Sequence, residues 1–215
     1  MDFAQARARM VEAQIARRGV RDPRVLEAMR SVPREAFIAA GFEEAAYEDR
    51  PLPIAEGQTI SQPYIVAAML EAADLEPDAK VLEIGAGSGY AAAVLSRMVR
   101  DVYAIEWHDA LTVAAVERFR HLGYNNIELK TGDGSRGWPE HALFDAIIVS
   151  AGGPSVPEAL KRQLRVGGVL VAPVGGADDQ RLKRITRTGE ADYQEDTLGA
   201  VRFVKLIGEG GWSGP

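Results

Sequence analysis

Cysteine is absent from the 215-residue chain, and histidine and tryptophan occur three times each. Without a thiol there is no disulfide framework, no thiolate metal site and no cysteine nucleophile. A reducing cytoplasm is the expected setting. Long apolar runs are missing as well: no segment approaches the roughly 20 apolar residues of a membrane span. The opening MDFAQARARMVEAQIARRG is charged throughout and lacks the apolar stretch and cleavage site of a secretion signal. A soluble, unprocessed chain with no membrane partner is therefore expected. Positive charge is in deficit, with 25 Lys and Arg against 31 Asp and Glu and a net charge of −6. That balance opposes a nucleic-acid partner unless basic groups are segregated. The densest basic run, Arg181, Lys183, Arg184 and Arg187, alternates across both faces of a strand and reads as a solvated edge. A monomer is the default expectation.

What is present is 47% apolar residues, enough for one domain with a sizeable core. Residues 3–30 read as two helices separated by Gly19, an N-terminal cover. From Phe37 to Gln62 periodicity gives way to Gly, Pro and Asp, and so long an irregular stretch in a compact domain is often functional. Strands then alternate with helices: strands at 80–85, 101–106, 127–133, 144–151 and 167–175, with amphipathic segments between them. This predicts an α/β fold, a mostly parallel doubly wound sheet with helices on both faces. QRLKRITRTG and AVRFVKLIG, with no helical pattern between them, predict an antiparallel addition at one edge.

Ligands of such sheets bind outside the carboxyl ends of the strands. Gly85-Ala86-Gly87-Ser88-Gly89 lies there, after the first parallel strand, where glycines permit tight turns and close approach of a ligand. Glu106 ends the second strand, 21 positions after Gly85, where a carboxylate can accept both hydroxyl hydrogens of a ribose. Asp133, followed by Gly134, ends the third. Each taken alone also reads as an ordinary turn residue; their succession along one sheet edge favours a nucleotide-like ligand. A dinucleotide loop requires GxGxxG with a small third residue, whereas Tyr90 stands there, and no GxxxxGK[ST] occurs. The compact GxGxG with Glu83 inside the strand resembles the first motif of class I methyltransferases. A buried Glu is otherwise costly and must find partners.

Pro63 suits a first helical turn, with Ser61 or Gln62 placed to cap it, and Thr59 carries a second hydroxyl nearby. Capping and anion binding are both open readings of Ser61. The three histidines, His108, His121 and His141, show no acid partner in the sequence, and none is assigned to catalysis.

PLPIAEGQTISQP (51–63), VLEIGAGSGY (81–90), IE (105–106), GDG (132–134), GWPE (137–140), FDAIIVSA (144–151), the glycine and valine pattern of 167–175 and VRFV (201–204) together resemble the protein-L-isoaspartate O-methyltransferases. The resemblance runs from about Val32 to Trp212. It implies methyl transfer from S-adenosylmethionine, leaving S-adenosylhomocysteine, to the α-carboxylate of isoaspartyl residues in damaged proteins, with no metal. It implies that Ser61 is the active-site hydroxyl and that Thr59 and Ile60 line the junction of cofactor and substrate. Glu83, Gly85, Gly87, Gly89, Glu106, Trp107, Asp133 and Gly134 would face the cofactor. Val201, Phe203 and Val204 would shape the peptide groove. Three positions depart from the family pattern: Trp107 where Arg or Lys is common, Gly152 and Gly153 in an alanine-rich stretch, and Lys205 for a frequent Pro. In this reading residues 1–62 carry helices and the active-site loop, 63–175 the cofactor-binding core, and 176–215 the terminal strands and tail of one domain. A small-molecule methyltransferase on the same fold and a non-catalytic cofactor-binding module are the competing readings.

Overall fold

Asp2 accepts the Gln5 N–H at 3.1 Å and caps α1 (Phe3–Met10). That helix continues through a π turn, Val11–Ile15, and a 3₁₀ turn, Ala16–Arg18, until Gly19 adopts a left-handed conformation. Asp22 then caps α2 (Pro23–Ser31), with Pro23 in its first turn. The computed structural model describes residues 2–214.

The irregular stretch resolves into short helical turns, Arg34–Phe37 and Glu43–Ala45, and a small hairpin of β1 (Leu52–Pro53) and β2 (Thr59–Ile60). Leu52 pairs with Ile60 and Pro53 with Thr59 across it. After α3 (Pro63–Ala72) come β3 (Lys80–Ile84), α4 (Tyr90–Leu95), β4 (Asp101–Glu106), α5 (Asp109–Leu122), β5 (Ile127–Thr131), β6 (Phe144–Val149), α6 (Glu158–Arg162), β7 (Leu164–Gly175), β8 (Gln180–Arg187) and β9 (Tyr193–Val201). The sheet order is β5-β4-β3-β6-β7-β8-β9, with the first five strands parallel and β8 and β9 antiparallel.

Side chains alternate across β3. Val81 joins Ile148, Val171 and the N-terminal Met10, Ile15, Val25 and Met29 in one buried cluster; Leu82 and Ile84 join Ile147, Leu170 and Trp138 in the other. A strand apolar on both faces belongs in the centre of a parallel sheet. The helical cover is thus part of the core on one side of the sheet. At the carboxyl end of β3 the chain turns between β4 and β6, and this crevice is the natural ligand position of an open α/β sheet.

Two expectations need correction. The last strand is Tyr193–Val201, whereas residues 202–208 leave the sheet, so VRFV is a strand only at its first residue. The reason is that β9 forms the sheet edge and is largely exposed, so its residues YQEDTL lack an apolar pattern. The basic run is also not at an edge, because β8 lies between β7 and β9. Arg184 Nε donates to Ala72 O at 2.8 Å, Lys183 pairs with Glu195 at 2.8 Å, and Arg187 Nη1 donates to Leu164 O at 2.5 Å. Those cations serve the fold.

Candidate active site

The loop after β3 requires its glycines for different reasons. Gly85 (φ 82°) and Gly87 (φ 56°) adopt left-handed conformations at the strand end, and Gly85 N–H donates to Ile105 O at 2.8 Å. Gly89 (φ 86°) precedes α4, and a Cβ there would lie 2.5 Å from Phe119 Cζ. It therefore admits α5 to the loop and is not on the cavity wall. Glu106, 5% exposed, accepts the Gly87 N–H at 2.8 Å on Oε2 and the His108 N–H at 3.0 Å on Oε1.

Two depressions of about 470 and 580 Å³ share Thr59, Gly85, Gly87 and Ser150 in their walls. One runs past Ile60 and Ser61 to Glu83 and Tyr90; the other runs past Glu106, Trp107 and Gly134 to Lys205. Glu83 has no exposed surface, and Ser150 Oγ donates to its Oε1 at 3.2 Å while Oε2 has no partner. Burial pushes the Glu83 carboxyl up to about 8; the Ser150 hydrogen bond opposes this and the Glu106 charge adds to it.

A third, wider depression of about 890 Å³ is walled by Ser61, Gln62, Ile65, Ser150 and residues 200–204. Thr59 and Ser150 border all three spaces, and Ser61 borders the first and third. The β1–β2 hairpin sets these positions. Its tip, with Glu56 and Gly57 at positive φ, reaches α5 through a 3.7 Å approach of Glu56 to His108, and Ile54 packs over Gly87. Gln62 occupies the N-cap of α3 without a side-chain cap bond, so the capping reading of Ser61 and Gln62 is set aside. The Gln62 amide instead donates to Asp49 O at 3.0 Å. Among the described residues, no hydrogen bond engages the Ser61 hydroxyl.

Val201, Phe203 and Val204 all reach the third depression, although most of that segment lies outside the sheet. The Gln180 amide holds it, accepting Phe203 N–H at 2.7 Å and donating to Phe203 O at 3.1 Å. Gly152 makes room for this clamp, since a Cβ there would sit 2.4 Å from Gln180 Nε2. Gly153 donates to Pro173 O and Lys205 bridges to Gly152, so those departures fall in the tie between sheet and tail. Trp107, 43% exposed, stands on the wall beside Glu106.

Asp133 is not brought to the cavity. Its Oδ1 accepts from Ser135 N–H at 2.9 Å and Ser135 Oγ at 2.6 Å, and its Oδ2 from Glu209 N–H at 2.9 Å. Only Gly134 of that pair borders the cavity. Two histidines have acid neighbours that sequence did not show, Glu56 for His108 and Glu128 for His141 at 3.8 Å. Neither histidine borders the spaces that Ser61 borders. One residue escaped sequence reasoning altogether. Arg34 is fully buried and donates from Nη2 to Ser61 O at 2.8 Å. Its flanking apolar residues in SVPREAF were the available signal.

A five-strand parallel core with antiparallel edge strands, and a cavity at the glycine loop between β3 and β4, define a class I methyltransferase fold. A family profile for Protein-L-isoaspartate(D-aspartate) O-methyltransferase matches residues 5–211. Protein-L-isoaspartate O-methyltransferase 2 of Pelobacter propionicus is 58% identical over 204 residues, 94% of this chain and 91% of its own. A solved protein-L-isoaspartate O-methyltransferase superposes with a TM-score of 0.87 at 30% identity, covering 95% of this chain and 67% of that one. A Plasmodium falciparum structure, described as a putative member in complex with S-adenosyl-L-homocysteine, gives 0.82 at 27% identity and covers 94% and 98%. The chain belongs to the protein-L-isoaspartate O-methyltransferase family.

Proposed function

We infer that this chain repairs damaged proteins by methylating the α-carboxylate of L-isoaspartyl residues, with the carboxylate held at Ser61. The observation that carries the site reading is that Ser61 borders both the cavity of Glu83 and the open groove of Phe203. S-adenosylmethionine supplies a methyl group on a sulfonium when bound. Supporting its fit are the Glu83 carboxyl, whose Oε2 is unpartnered and which a cationic amino-acid end would help to ionise, and the Glu106 carboxylate, suited to ribose hydroxyls. The glycines at 85 and 87, Thr59, Ile60, Trp107 and Gly134 complete the walls. Gly89 and Asp133 enter this reading as supports of the walls.

An α-carboxylate, with a reference pKa of roughly 3.5, is ionised near neutral pH and needs no general base. The work of the chain is therefore orientation. Ser61 Oγ–H would donate to one carboxylate oxygen and leave the other free to accept the methyl group, and such positioning can supply several kcal/mol. That oxygen would take the methyl group from bound S-adenosylmethionine, with the displaced electron pair left on a neutral thioether. The methyl ester can expel methoxide, released as methanol, whereas the carboxylate would have to expel oxide; the neighbouring amide nitrogen therefore attacks the ester carbonyl and closes a succinimide that hydrolyses in part to aspartate. The open groove walled by Val201, Phe203 and Val204 suits substrates carried on unrelated chains.

The reading extends to a monomer acting as one domain in the cytoplasm, without nucleic-acid or membrane partners; the net charge of −6 supports the absence of a nucleic-acid partner. Labelled methyl transfer to an isoaspartyl peptide and not to its aspartyl twin is the expected result, and equal labelling would overturn the substrate. Ser61→Ala is expected to impair peptide methylation far more than S-adenosylhomocysteine binding. Equal loss of both would remove Ser61 from this role.

A further inference from the structure

Arg34 is the one fully buried cation in the core, and no carboxylate reaches it among the described residues. Its Nε donates to Ala46 O at 2.8 Å, its Nη2 to Ser61 O at 2.8 Å, and its Nη1 has no partner. The Tyr90 ring covers the guanidinium, with Cζ 4.7 Å from the centroid, and Tyr90 itself borders the cavity that Ser61 borders. A guanidinium stays charged in proteins, although burial lowers its pKa here. Two carbonyl dipoles and one aromatic face replace only part of its lost hydration.

A buried charge without a counter-ion is costly unless something compensates it. The cation on the groove wall, Arg202, is exposed and already pairs with Asp178 at 3.3 Å. The charge of Arg34 is therefore the uncompensated one next to the segment that carries Ser61, and the substrate group expected there is an anion.

We propose that Arg34 is the positioning residue of the carboxylate half-site: its forked contacts fix the Ser61 backbone, and its buried charge favours an ionised carboxylate there over a neutral group. This rests on the reading of Ser61 as the carboxylate-holding hydroxyl. Arg34 does not touch substrate; it acts through residue 61 and through the charge of a guanidinium that is itself fully buried. The fork also ties the 43–47 segment to the active-site loop, something a single ammonium cannot do for two separated carbonyls.

The test compares wild type, Arg34→Gln, Arg34→Lys and Ser61→Ala. An isoaspartyl peptide and its α-carboxamide twin are titrated into the S-adenosylhomocysteine complex, and kcat and KM are measured separately with S-adenosylmethionine. Wild type is expected to bind the carboxylate at least tenfold more tightly than the carboxamide. Arg34→Gln is expected to reduce that ratio below threefold with S-adenosylhomocysteine affinity within twofold of wild type. Arg34→Lys is expected to keep the ratio while kcat falls at least tenfold. An unchanged ratio in Arg34→Gln, or a parallel loss of cofactor affinity, overturns the proposal. If Arg34→Gln does not fold, Arg34→Lys decides: wild-type kcat, or a collapsed ratio, overturns it. Failure of the Ser61 reading shows separately, as unchanged peptide kinetics in Ser61→Ala.

Discussion

Gly87 donates its amide hydrogen to Glu106 Oε2 at 2.8 Å, so the carboxylate ending β4 clasps the loop that follows the neighbouring strand. One side chain thereby holds the loop and presents a charged acceptor to the cavity. Glu106→Ala is expected to weaken S-adenosylhomocysteine by about 10- to 100-fold, the effect of losing roughly 1.5–3 kcal/mol of charged hydrogen bonding. Calorimetry checks this, and unchanged affinity would take Glu106 out of the cofactor site.

Glu83 gives the fold a pH dependence of definite sign. Its folded carboxyl titrates at about 8, above the ordinary 4.5. The folded state therefore keeps a proton that the unfolded state has lost between these values, and stability falls as pH rises across that window. Below about 4.5 the contribution is fully present. Glu83→Gln is expected to flatten this trend, with a smaller drop in urea midpoint between pH 5 and pH 8 than wild type shows. An equal drop in both proteins would place the dependence elsewhere.

Gly89→Ala separates packing from ligand contact. The substitution imposes left-handed backbone on alanine and drives a methyl group into Phe119. Together these cost about 2–4 kcal/mol. A lowered urea midpoint with cofactor affinity within twofold is expected. The reverse, wild-type stability with lost affinity, would return Gly89 to the cavity wall.

Gln180→Leu removes both bonds to Phe203 and leaves its N–H and C=O unmatched, a loss of about 1–3 kcal/mol. Peptide KM is expected to rise roughly tenfold, with S-adenosylhomocysteine affinity unchanged. Steady-state kinetics decides, and an unaltered KM would show that the 202–204 segment keeps its place without the clamp.

The central sheet was legible because buried parallel strands such as KVLEI are apolar on both faces, and KVLEI and DVYAIE each precede a helix. The terminal strand was not, because Tyr193–Val201 is an exposed edge whose polar residues carry no burial signal. At the site, the glycines and Glu106 could be read from their places at strand ends. The destination of Asp133 could not, since its partners Ser135 and Glu209 include a residue 76 positions away. Arg34 stayed hidden for a similar reason: its contacts are backbone carbonyls, which any sequence offers equally. The β1–β2 hairpin has only two residues per strand, too few for alternation to register.

Asp133 and Gly134 form the chain's only Asp-Gly step, and Asn-Gly does not occur. An aspartyl carboxyl followed by glycine is the least hindered to close onto the next amide nitrogen, the same ring closure through which isoaspartate arises. This step lies at the edge of the depression that Gly134 borders. Exchanging the glycine is barred, because Ile84 Cγ2 would lie 2.4 Å from any Cβ at position 134. What remains is restraint: three donors hold the Asp133 carboxylate, and one of them belongs to the tail. The C-terminal segment therefore supplies, through the Glu209 amide, one of the three bonds that fix the carboxylate at the start of this Asp-Gly step.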